Sequence, residues 1–214
     1  MKKTILTLAL LAGLTGAAQA QHSIRSRSEP SSGLSLGVKA GGSRSTLRTY
    51  DGTAYEGIYG YHAGVFANLK LSKHFAFQPE LLYSQKGAKV PTSDAGYLVT
   101  RRLHCVDLPL LFHVNTHGFF LEAGPQVGVL VAAQDKQGDA TATLNRGRYF
   151  TTADVGFAGG LGYQRRSGLG GGLRYVGGIS SISKDTSQGT TAVQKEARNS
   201  VLQLYLSYSF NALN

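Results

Sequence analysis

The chain has 214 residues, 22 Lys+Arg against 12 Asp+Glu (formal net charge +10), 28 glycines and a single cysteine. One cysteine excludes an intrachain disulfide scaffold, and glycines with no three-residue period exclude collagen. Charged residues make up only 16% of the chain and apolar residues 42%, which argues against both an ordinary water-exposed surface and a disordered chain and fits an all-β protein.

Met1-Lys2-Lys3 is a basic start, and Ile5 to Leu14 an apolar run too short to span a bilayer as a helix. Ala18-Gln19-Ala20 has the small-x-small form cut by signal peptidase. Residues 1–20 are therefore expected to be a signal peptide for export. Residues 21–32, polar with Arg25, Arg27 and Pro30, read as a flexible periplasmic leader. Outside the cytosol the lone Cys105 is best kept buried.

From residue 33 a period of two replaces any helical period. Leu34, Leu36, Val38 and Ala40 take one face, and Ser35, Gly37 and Lys39 the other. The same alternation recurs through Tyr59–Leu71, Phe75–Tyr83, Val106–Val114, Phe119–Val131, Val155–Tyr163, Leu169–Tyr175 and Leu202–Phe210. That makes eight strands, each long enough to cross a bilayer when tilted. Ser72-Lys73-His74, Asn115-Thr116-His117-Gly118 and Arg165-Arg166-Ser167 read as tight turns. Residues 43–57, 87–97, 133–151 and 184–199 read as long links. Short turns at one end, long links at the other and an even strand count are the pattern of an outer-membrane barrel with the short turns on the periplasmic side.

One face of the alternation is bulky and apolar, and the other is Gly, Ala, Ser and Gln with single charges. The second set is too small and too uncharged for a wetted surface, but it suits the inside of a narrow barrel. Phe75, Phe112, Phe119, Tyr163 and Phe210 fall near the short-turn end, and Tyr59, Tyr83 and Tyr175 nearer the long links. Two aromatic girdles mark a lipid-facing surface. The expected fold is an all-β, eight-stranded antiparallel up-and-down transmembrane β-barrel over residues 33–210, with a tail at 211–214.

Gly60 to Lys89 (GYHAGVFANLKLSKHFAFQPELLYSQKGAK) resembles the second and third strands of the PorT-like outer-membrane β-barrel family of Bacteroidetes. CVDLPLLFHV, FFLEAGPQVGVLV and GLRYVGGISSIS resemble its fourth, fifth and seventh strands. The resemblance implies an eight-stranded outer-membrane barrel, in a few members linked to a secretion system. These are scaffold motifs, which speak to fold more than to function. Such barrels often end on an aromatic residue, whereas here Phe210 is followed by Asn211-Ala212-Leu213-Asn214.

Motifs for chemistry are few. Gly33-Leu34-Ser35-Leu36-Gly37 matches G-x-S-x-G but lies within a strand, without the helix a nucleophile elbow requires. His113 and His117 stand four apart across a turn, not on a helix. No catalytic, cofactor-binding or metal-binding set is expected, and no enzymatic activity. In the long links, Arg44 and Arg48 are balanced in sequence by Asp51 and Glu56, and Lys89 by Asp94. The cationic excess falls in the leader and at Lys70, Lys73, Arg165 and Arg166. That placement argues against nucleic acid. It leaves solvated turns, acidic lipid head groups or an acidic periplasmic partner.

The inward charges are the most informative polar set. Glu80, Asp107 and Glu122 share inward parity on adjacent strands, and Lys39, Lys70 and Arg174 point the same way. Charges in a narrow lumen should pair, so Glu80, Asp107, Glu122 and Arg174 are expected to form a structural lumen cluster. The function expected is a structural or interaction role through extracellular loops, in contact with outer-membrane lipid and an envelope protein partner. A small-solute or secretion-accessory channel and a lipid-acting outer-membrane enzyme are the alternatives, and a soluble ligand-binding barrel is a minor one.

Overall fold

The computed structural model describes residues 33–49, 55–91, 98–137, 140–143, 153–180 and 197–210. The expected signal peptide, leader and tail lie outside them. The strands are β1 (Leu34–Thr49), β2 (Glu56–Lys70), β3 (Phe75–Pro91), β4 (Leu98–Thr116), β5 (Phe119–Gln137), β6 (Ala140–Thr143), β7 (Ala153–Gln164), β8 (Leu169–Gly178) and β9 (Ala197–Ser209).

All pairings are antiparallel. Eight strands follow one another around a ring, β1-β2-β3-β4-β5-β7-β8-β9, and β9 closes on β1 from Gly37 opposite Ser209 to Thr49 opposite Ala197. β6 lies outside this ring and pairs with the end of β5. Closure leaves the ring no open edge, so its backbone groups are satisfied without water, as a hydrocarbon surround demands.

The turns explain the register at the short end. His117 (φ 48°) and Gly118 (φ 89°) both take left-handed conformations between β4 and β5, the geometry of a two-residue turn whose twist matches the strands it joins. Between β2 and β3, the Ser72 hydroxyl accepts from the amides of His74 and Phe75 at 3.3 and 3.1 Å. Between β7 and β8, the Arg165 amide donates to the Leu169 carbonyl at 2.8 Å.

Side chains alternate between the two sides of the wall along most of each strand. Leu204 and Leu206 within β9 are 64% and 68% exposed, and Leu121 near the start of β5 is 60% exposed, an arrangement unfavourable in water and favourable in lipid. Every aromatic residue assigned to the two girdles faces outward and is exposed. Inside, Leu111, Ala158, Val176 and Val201 pack across the lumen. Leu47, Ala88, Val90, Val99, Leu103, Cys105, Leu130 and Ala133 form a second apolar cluster toward the long-link end. Cys105 is thereby buried.

The strands reach further than the alternation of apolar residues indicated. β1 and β2 extend into 43–57, β3 into 87–97, and β5 with its partner β6 into 133–151. Past the lipid band the outward residues become polar (Arg44, Arg48, Lys136) and apolar residues (Leu47, Ala88, Val90) take inward positions. Read without register, such an amphipathic extension looks like a polar loop.

If the outward face lies in hydrocarbon, Leu204→Arg should destabilise the barrel in lipid vesicles by about 2–4 kcal/mol, read as a lower urea midpoint. An unchanged midpoint would place that face outside the bilayer.

Candidate functional site

The inward parity of β1, β3, β5, β8 and β9 places Lys39, Glu80, Glu122, Arg174 and Tyr205 together in the lumen, each at most 3% exposed. Arg174 is the hub. Its Nη1 and Nη2 donate to Glu80 Oε2 and Oε1 at 2.8 and 2.9 Å, and its Nε and Nη2 donate to Glu122 Oε1 and Oε2 at 2.7 and 2.8 Å. A planar guanidinium can hold two carboxylates in this bidentate way, and an ammonium cannot.

The remaining acceptor positions are also engaged. Lys39 Nζ donates to Glu80 Oε1 at 2.6 Å and sits 4.0 Å from the centre of the Tyr205 ring. Gln78 Nε2 donates to Glu80 Oε1 at 2.8 Å and takes a bond at its own Oε1 from Asn68 Nδ2. The Tyr205 hydroxyl donates to Glu122 Oε1 at 3.0 Å. His113 Nε2 approaches Glu122 Oε2 at 3.3 Å while its ring stacks on Phe120, 5.0 Å between centroids. Two cations face two carboxylates, so the group balances its own charge.

Glycine makes the room. A Cβ at Gly160 would stand 2.9 Å from Glu122 Oε1, and one at Gly172 would stand 2.7 Å from the Tyr205 hydroxyl. On the wall facing the cluster the glycines are the space its side chains occupy.

Asp107 is not part of this group. It pairs with Lys86, whose Nζ donates to Asp107 Oδ1 at 2.8 Å and lies 3.7 Å from Asp154 Oδ2. Asn199 Nδ2 donates to the same Asp154 oxygen at 2.7 Å. Lys70 keeps its inward parity but stands at the last rung of β2, exposed. Sequence alone does not single out Lys86 or Tyr205, and it marks His113 only as one half of the histidine pair with His117. Lys86 is hidden because the apolar alternation of β3 stops at Tyr83. Extending the parity Glu80, Leu82, Ser84 by one step points to it.

The two sequence motifs separate in space. Ser35 of G-x-S-x-G sits in β1 and its Oγ lies 2.9 Å from Ser209 Oγ. His113 points into the lumen, whereas His117 is exposed in a turn. Among the described residues no group of His, Cys, Asp and Glu has the geometry to hold a metal ion.

Against this geometry, the family model described as "Outer membrane protein beta-barrel domain" matches residues 18–184. No curated protein matches the sequence. Among solved structures, the chain is similar to neisserial surface protein A, with a TM-score of 0.53 and 16% identity over 83% of this chain and 99% of that one. It is also similar to Ail, the attachment invasion locus protein of Yersinia pestis, with a TM-score of 0.47 and 8% identity over 82% of this chain and 98% of that one. At 16% identity the similarity to neisserial surface protein A is one of fold.

Removing one partner of a buried pair leaves the others buried and uncompensated, at about 3–5 kcal/mol. Arg174→Ala should therefore lower the urea midpoint sharply, while Arg166→Ala, on an exposed turn, should leave it nearly unchanged. Equal effects would show that Arg174 is not holding the lumen.

Proposed function

Because the chain belongs to the outer membrane protein beta-barrel domain family, it is an integral protein of the outer membrane, and we propose that it is a closed, non-enzymatic barrel acting through its long extracellular links. The observation that carries the reading is the Arg174 cluster. A lumen crossed by Glu80, Arg174 and Glu122 in bonded contact, with apolar side chains packed toward the long-link end, has the character of a filled barrel interior. We infer export through residues 1–20 from the Ala18-Gln19-Ala20 site. The motifs of strands two to five and of the Arg174-Tyr175 strand support placement among the PorT-like barrels of Bacteroidetes.

One observation favours a channel as the second reading. Asp107 Oδ2, Asp154 Oδ1, Gln203 Oε1 and both ring nitrogens of His62 are buried without a protein partner. Such groups call for water, and connected water would be a path.

Planar-bilayer recordings separate the two. Wild type should give no steady conductance, and large stable openings would establish the channel. Orientation is tested in a Cys105→Ser background with Lys136→Cys at the long-link end and Lys73→Cys in a short turn. An impermeant thiol reagent on intact cells should label the first only, and the reverse pattern would invert the barrel.

A further inference from the structure

We propose that the wall formed by β7, β8, β9 and β1 binds, at its long-link end, the phosphate of a phosphorylated glycolipid of the outer leaflet. The proposal rests on the reading that the long links face outward.

The starting observation is a like-charge pairing in the register. Arg48 of β1 and Arg198 of β9 stand directly opposite each other in the closing register, both outward and exposed. Opposed residues in an antiparallel pair have their Cβ atoms about 5 Å apart, and like charges there are destabilising. Glu56, which the sequence offered as a counter-charge, bonds instead to Lys89 across β2 and β3 at 2.5 Å. Among the described residues neither arginine has an ion-pair partner. Two guanidinium forks side by side form a site that an anion with several oxygens resolves, and a phosphate matches their geometry.

The second observation is the shape beside them. The two arginines line an open groove of about 310 Å³ with Phe157, Tyr175, Gly177 and Ser200. Its floor is low because Gly177 has no side chain, and a Cβ there would stand 2.7 Å from the Phe157 ring. The Tyr175 hydroxyl lies 3.1 Å from Ser200 Oγ, which fixes that ring. One end of the groove is cationic and the other aromatic.

The third observation is depth. On β9 the outward residues run Leu206, Leu204 and Leu202, all exposed, then Ser200 and Arg198. Four residues of tilted strand put Arg198 about 10 Å beyond Leu202 along the membrane normal. That is head-group level, with the aromatic residues between it and the acyl band. A free anion would use only the cationic end. A glycolipid whose phosphate sits at the arginines and whose chains descend past Tyr175 onto Leu202 and Leu204 uses the whole surface.

The test uses the full chain refolded in lipid-free detergent, with folding confirmed by heat-dependent gel mobility and binding read by native mass spectrometry. Phosphorylated lipid A should be retained as one molecule per barrel. Arg48→Ala/Arg198→Ala should weaken retention at least tenfold, and Gly177→Val, which blocks the groove while keeping both arginines, should weaken it too. Arg166→Ala should have no effect. The double variant should also raise the urea midpoint without lipid and lower it relative to wild type with lipid, because the repulsion and the ligand act at the same pair. Equal binding of dephosphorylated lipid A, or unchanged binding by the double variant, would overturn the proposal. Inorganic phosphate binding as tightly as the lipid would assign the pair to a free anion and overturn the lipid assignment. None of these readouts depends on the orientation of the barrel, which thiol labelling of Lys136→Cys and Lys73→Cys reads separately, so failure here is distinct from failure of the reading that the long links face outward.

Discussion

An eight-stranded ring encloses a space that side chains just fill, and every second residue of every strand is directed into it. That constraint governs the rest of the molecule. A charge on the inward face has nowhere to go except to another inward charge, and Arg174 is where the inward charges of the lower lumen meet. It binds Glu80 from β3 and Glu122 from β5, strands on a different part of the ring from its own β8. Lys39 and Tyr205 bring in β1 and β9. Five of the eight ring strands are thus tied by side chains as well as by their ladders.

The same constraint accounts for the unusual composition. The outward face faces lipid and is Leu, Val, Phe and Tyr. The inward face is divided between long charged side chains and the glycines that accommodate them, as Gly160 and Gly172 accommodate Glu122 and Tyr205. Beyond the membrane band the lumen changes character and closes on an apolar cluster from Leu47 to Ala133. The ring is therefore held by ionic contacts at one depth and by apolar packing at another, a rigid base for whatever the long links meet.

The sequence made the period, strand number, short turns and lipid face legible, because all follow from alternation and turn chemistry. It also placed Glu80, Glu122 and Arg174 on one face. It did not show which carboxylate Arg174 takes. Parity says that a side chain points inward but not at what height, and Asp107 lies opposite Gly128 and within reach of Lys86, away from the Arg174 group. Strand ends were the least legible feature. Arg44 and Arg48 read as loop charges because only the registers of β1 with β2 and β9 show them to be wall residues, and the pairing of Arg48 with Arg198 spans 150 positions of chain.

The central claim is that the lower lumen is a self-balanced set of two cations and two carboxylates. A double-substitution cycle in lipid vesicles tests it most directly, with Arg174→Met, Glu122→Gln and the two combined compared by urea unfolding. Each single change leaves an unbalanced buried charge and should be costly. The combined change restores balance between Lys39 and Glu80, so it should cost less than the two single changes added, with a coupling of about 0.5–3 kcal/mol. Additive losses would mean that the charges act independently through water, which would contradict a closed and self-balanced lumen.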